Sequence, residues 1–187
     1  MIKQQLTFTL IVTVLLFALT ACSSSHQPDT AGSPSSSSAS TSMKHFQAKL
    51  TLGGVPGVSA DGKDVVVLAD VTNTGAATFG SQTEPHNVNL GAHSIDASGK
   101  IIDNDVARGH LPQIAPGAKA TATILLPIDK VLNKRAELLP VEENVAWFDQ
   151  WGTRPLIVGP FNSCSSDSVG KVCDASGKPL ATAAEKH

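Results

Sequence analysis

Val65-Val66-Val67-Leu68-Ala69-Asp70-Val71 is the run from which the fold can be read. β-Branched residues dominate it, and alternation puts Val65, Val67, Ala69 and Val71 on one face, the period of two that a half-buried strand requires. Asn73-Thr74-Gly75 ends the run, and the turn Ala60-Asp61-Gly62-Lys63 leads into it. Upstream, Phe46-Gln47-Ala48-Lys49-Leu50-Thr51-Leu52 alternates in the same way until Gly53-Gly54 and Pro56-Gly57 break it.

Downstream the pattern repeats. Between Asn87 and Ile95, Val88, Leu90 and Ala92 share one face while Asn87, Asn89 and His93 take the other, and Asp96-Ala97-Ser98-Gly99 turns the chain into Lys100-Ile101-Ile102 as a hairpin. Leu111-Pro112 and Pro116-Gly117 punctuate a connection to Lys119–Leu126, where Ala120, Ala122, Ile124 and Leu126 oppose Thr121 and Thr123. Ala136-Glu137-Leu138-Leu139 has helical character, but Pro140 and the following valine favour an extended exit, so a turn and then a strand from about Arg135 are expected. Val145–Phe148 and Pro155–Val158, separated by the turn Gln150-Trp151-Gly152, complete the set. Short strands at this spacing predict an all-β fold, an antiparallel Ig-like β-sandwich of about seven or more strands. The sandwich is expected over residues 44–161, with 162–187 as a C-terminal tail.

The net charge of −2 provides no basic field, so nucleic acid is not an expected partner. Of the three cysteines, Cys164 and Cys173 form a closely spaced pair whose expected state in an oxidising compartment is a disulfide. No Cys-x-x-Cys spacing is present, and neither a metal nor another cofactor is expected. From Ser23 to Ser42 the chain is rich in Ser, with no large apolar residue, the composition of a disordered spacer. Residues 22–43 are thus a flexible tether, with an r.m.s. span on the order of 25 Å.

Leu19-Thr20-Ala21-Cys22 closes an apolar run that begins near Leu6 behind Lys3. The run is about 14 residues, short of the ~20 that span a bilayer. This segment resembles the lipobox of bacterial lipoproteins. The resemblance implies that residues 1–21 are a lipoprotein signal peptide, that Cys22 is the lipidation site and that the mature chain is membrane-bound through its lipid anchor. Ser23 after the cysteine resembles the signal for outer-membrane retention, so the expected location is the outer membrane, facing the periplasm or the exterior.

A second resemblance lies in the folded region. It is carried by Leu90-Gly91-Ala92-His93-Ser94-Ile95-Asp96-Ala97-Ser98-Gly99, by Arg108 with Leu111-Pro112 and Pro116-Gly117, and by Val141-Glu142-Glu143-Asn144-Val145-Ala146-Trp147-Phe148 with Gly152 and Pro155. Together these are similar to a bacterial Ig-like module found beside cell-surface polysaccharide enzymes. Ala92 and Ser94 stand where that pattern usually carries aromatics, and the chain has no tyrosine, which weakens glycan recognition by ring stacking. The expected function is a non-catalytic binding or interaction module for an envelope protein or glycan. The alternatives are a carbohydrate-binding module for surface polysaccharide and an accessory or immunity lipoprotein that binds a secreted protein.

Trp147 and Phe148 are adjacent in an expected strand, so they point to opposite faces and only one can enter the core. Trp151, in a turn with few neighbours, is an expected interface anchor. With Arg154, Arg108 and His93 it makes up the candidate binding surface. His86, His93 and His110 with Asp96, Asp103 or Asp105 carry no metal-ligand spacing, and Asp103-Asn104-Asp105 lacks the glycine and glutamate of a calcium loop and is expected to be a surface turn. Ser163, Ser165 and Ser166 lie outside any nucleophile-elbow context, and Glu142-Glu143 alternate faces, so no catalytic residues and no enzyme activity are expected.

Overall fold

The computed structural model describes residues 46–84, 86–165 and 171–183. The expected signal peptide, Cys22, the tether and Ser166 lie outside the described residues. In chain order the strands are β1 (Ala48–Leu52), β2 (Gly57–Val58), β3 (Asp64–Asn73), β4 (Val88–Ile95), β5 (Ile101–Gly109), β6 (Lys119–Pro127), β7 (Lys134–Glu142), β8 (Ala146–Trp147), β9 (Leu156–Ser163) and β10 (Val172–Cys173). A helical turn, Ile128–Val131, links β6 to β7, and a 3-10 turn, Phe148–Trp151, follows β8.

β3 is the centre of a four-stranded antiparallel sheet, with β1 and β2 on one side and β6 on the other. The second, six-stranded sheet runs β10-β9-β7-β4-β5, and β8 also pairs with β7. The two sheets form a β-sandwich, in which β5 lies beside β4 instead of joining the first sheet. Val65, Val67, Ala69 and Val71 of β3 are fully buried, as are Val88, Leu90 and Ala92 of β4. They belong to one core, which Ile124, Leu126 and Leu138 extend. Each large side chain of this kind contributes ~1.5 to 3 kcal/mol on burial, so the alternation of β3 is the chief local reason the chain closes here.

The structure differs from the sequence reading in three places. Asp103, Asn104 and Asp105 lie inside β5 and not in a turn. β5 is an edge strand with register shifts against β4, and its carboxylates find partners across the surface: Lys130 Nζ donates to Asp103 at 3.1 Å, which holds that carboxyl below its ordinary range, and Arg108 pairs with Asp105. Charged residues on a free edge discourage further strand pairing.

The second difference is in the connections around residues 79 and 114. Phe79, Leu111 and Ile114 are buried, Phe79 bridges to Ile114, and Asn73 Nδ2 donates to the carbonyls of Ala77 and Ile114 at 2.8 and 2.9 Å. Gly80 is needed there, because a Cβ on it would come within 2.8 Å of the Pro112 carbonyl oxygen. These loops carry a share of the core that no periodicity announces.

The third concerns the chain beyond Phe161. β9 continues to Ser163 and pairs with β10, whose Val172 and Cys173 are buried. The expected bond between Cys164 and Cys173 is present, with Cα atoms 5.2 Å apart. The Lys171 carbonyl accepts from Cys164 N at 3.1 Å. Among the described residues the expected C-terminal tail is docked: Leu180 N donates to the Val172 carbonyl, and residues 181–183 pair with Val58. Residues 171–183 thus strap the second sheet to the edge of the first.

Candidate functional site

The regular register of β4 with β7 puts Asn89, Gly91, His93 and Ile95 on the outer face of the six-stranded sheet, beside Val141, Leu139, Glu137 and Arg135. Ile95, Leu139 and Val141 are buried although they lie outside the main core. This face therefore has a small apolar layer of its own. Trp147, paired with Val141, points onto the same face, while Phe148 is fully buried in the core. Of the two adjacent aromatics, the tryptophan is the one that faces outward.

Gly91 makes the position of Trp147 possible. A Cβ there would lie 2.5 Å from Cζ3 and Cη2 of the indole, so only glycine lets the ring edge settle on the strand. The His93 ring packs against the indole with centroids 3.8 Å apart, and the Arg108 guanidinium carbon sits 4.8 Å from the indole centroid, in cation–π range. Arg108 pairs with Gly91 across β4 and β5, which brings its side chain to the same place.

Arg108 is held from two sides. Its Nε donates to Glu143 at 3.1 Å and its Nη1 to Asp105, while Asn89 Nδ2 also donates to Glu143 Oε1 at 2.7 Å. His93 Nδ1 donates to the Asn104 carbonyl at 2.6 Å, since a carbonyl oxygen can only accept. On the other side of the sheet, His86 Nδ1 lies 2.8 Å from Oε1 of the buried Glu142, and its ring packs against Phe46 with centroids 4.6 Å apart. The face combines an aromatic plate, a guanidinium, the His93 imidazole and the carboxylates of Asp105 and Glu143, already engaged with one another.

Of the candidate surface residues, the structure brings His93 and Arg108 together around Trp147. His93 is buried beneath the indole at 3% exposure and is not the solvated strand histidine its alternation suggested. Trp151 is not an exposed anchor. It is half-buried in an aromatic cluster with Phe46 and Phe148, at centroid distances of 5.3 and 5.1 Å, and its carbonyl accepts from Gln47 Nε2. That cluster docks the start of β1, where Ala48 N donates to Thr153 Oγ1 at 3.1 Å. Arg154 is exposed, as is His110. Glu143 and Asn89 were not singled out as site residues in the sequence; an isolated glycine inside the β4 pattern was the one local signal of a close approach.

Among the described residues no three His, Cys, Asp or Glu side chains gather as a metal site. None of the described helices is long and apolar enough to cross a membrane. The open side of the sandwich carries two clefts, of about 400 Å³ and about 350 Å³, that share Leu180 as a wall. No family model matches this chain, and no curated protein matches it.

Proposed function

We propose that this chain is a lipid-anchored envelope protein, held at the outer membrane through Cys22, whose sandwich is a non-catalytic module that docks another envelope protein. The docking surface is the outer face of β4, β5 and β7. One observation carries the reading: Trp147 and Arg108, two of the three residue types most enriched among binding hot spots, are preassembled over Gly91 and held by Glu143, Asp105 and His93. Ile101 and Ile157, 44% and 41% exposed, extend the same face with apolar surface.

The mutual pairing of the charged groups favours recognition over catalysis, since none is left poised as a base beside a nucleophile. It also favours a protein partner over a glycan. The indole is already engaged by His93 and Arg108, so a stacking sugar would have to displace one of them. The test is capture of envelope proteins by the full chain, compared with its binding to a glycan array. Arg108→Glu should weaken protein capture at least tenfold while Arg154→Glu leaves it unchanged. Glycan binding that survives competition by envelope protein, or equal capture by both variants, would contradict the proposal.

A further inference from the structure

Leu111 lies in the core, yet both of its main-chain groups bond to Ser81 in the connection between β3 and β4: Ser81 N donates to the Leu111 carbonyl at 2.8 Å, and Leu111 N donates to Ser81 Oγ at 2.8 Å. A backbone N–H can only donate, so the hydroxyl accepts there and its own proton is free for another partner. The acceptors within reach are Asn89 Oδ1 and, at 3.3 Å, the Val88 carbonyl. With Oδ1 engaged by Ser81, the planar amide of Asn89 presents Nδ2 at its other corner, where it donates to Glu143 Oε1 at 2.7 Å. The same oxygen accepts from Arg108 Nε at 3.1 Å. Glu143 is tied to this connection a second time, its N–H donating to the Asn87 carbonyl at 3.0 Å. Each bond sets the direction of the next, from a main-chain N–H in the core to the guanidinium beside Trp147.

We propose that Ser81 and Asn89 are positioning residues of the docking surface, which orient Glu143 from the core side and through it set the Arg108 guanidinium. The bond from Arg108 to Asp105 spans three residues of one strand and fixes no distance to a neighbouring element. The bond to Glu143 does fix one, and Glu143 is the residue that the relay orients. A long side chain ordered in advance loses less freedom when a partner binds it. Nε is taken by Glu143 and Nη1 by Asp105 and the Ala107 carbonyl, while among the described residues Nη2 donates to nothing. That nitrogen is the donor the relay presents to an acceptor on the partner. The inference rests on the reading of the Trp147 face as the docking surface and adds the residues that build it from behind.

The test uses the full chain carrying ¹⁵N-labelled arginine, with the Arg108 Nε–Hε signal assigned by its absence from Arg108→Lys. Exchange of Hε with solvent should be faster than in the unaltered protein by about fivefold, the worth of one hydrogen bond, in both Ser81→Ala and Asn89→Leu. Because Ser81 acts through Asn89, the double variant should exchange no faster than Asn89→Leu alone. The amides of Val67 and Ala69 at the centre of β3 report folding and should stay protected in each variant whose Hε has changed. Asn89→Leu leaves the bonds between Ser81 and Leu111 in place, so it decides the matter if Ser81→Ala does not fold. Additive effects in the double variant, unchanged Hε exchange in either folded single variant, or exchange that rises only in step with the core amides would overturn the proposal. Capture of envelope protein is read separately: an Hε response as expected with capture unchanged in Asn89→Leu would leave the relay standing and refute the docking reading of the face.

Discussion

Asp96-Ala97-Ser98-Gly99-Lys100 and Asp174-Ala175-Ser176-Gly177-Lys178 are the same five residues at two places in the chain, and they make the same turn. In each, the aspartate Oδ1 accepts from the serine N–H at 2.8 Å, the serine hydroxyl at 2.6 Å and the lysine N–H at 3.0 Å. The glycines have φ of 90° and 82°, which other residues rarely adopt. What differs is what the turns join. The first connects β4 to β5, and Arg135 Nη2 donates to the carbonyls of Asp96 and Ala97. The second connects the short β10 to a single bridge, Cys173 with Pro179, beside the Cys164–Cys173 disulfide. Local sequence thus decides the turn, while the apolar alternation on either side decides how far the strands run. The first hairpin builds the Trp147 face; the second builds the strap that pairs with Val58.

The strongest way to separate the two hairpins is to remove the disulfide. Cys164→Ser with Cys173→Ser should cost ~2 to 3 kcal/mol and release the amides of residues 172–183 to hydrogen exchange, while those of β4 and β7 remain protected. Simultaneous loss of protection in both hairpins would show that they are one cooperative unit. A smaller contrast is expected from the turns themselves. Asp96→Ala should lower the midpoint of thermal unfolding, whereas Asp174→Ala should leave that midpoint within error and be seen only as faster exchange within the strap. Equal effects in thermal unfolding would erase the distinction.

The smallest effect is in pH. The carboxyls of Asp96 and Asp174 are held below their ordinary range, first by the Ser98 and Ser176 hydroxyls and then by the lysine amides. A depressed folded pKa means the unfolded chain binds more protons in the acid range, so this stabilisation is complete above about pH 4 and is lost as pH falls through the folded values. Carboxyl chemical shifts followed from pH 6 to 2 should show both groups titrating below a model aspartate. A midpoint at or above that of a free aspartate side chain for either would show that its turn does not hold the carboxylate.

Much of the sandwich was legible because β-branched alternation is a local property. Val65 to Val71, Val88 to Ala92 and Ala122 to Leu126 are buried on the faces their spacing assigned. Phe79, Leu111 and Ile114 were not legible, since they enter the core from loops without a period. β5 was hidden because an edge strand carrying Asp103 and Asp105 has the composition of a turn. The candidate site was half legible: His93 and Arg108 were named from the sequence, but their meeting depends on the register of β4 with β5 and on the notch at Gly91. Trp151 was misplaced because sequence does not reveal that Phe46 and Phe148 close over it. The five-residue repeat was present in the sequence as a second hairpin signal, within a segment whose polar composition read as tail.

The central claim is that the Trp147 face, and not the opposite sheet, meets a protein partner. Its most direct measurement is site-specific photocrosslinking in intact envelopes, with the reactive side chain placed at Arg108 or at Leu125, which is 49% exposed on the outer side of β6. A discrete protein adduct should form from position 108, be absent from position 125 and disappear when Trp147→Ala is added. Adducts of equal yield from both positions, or an adduct at position 108 that is indifferent to Trp147→Ala, would contradict it.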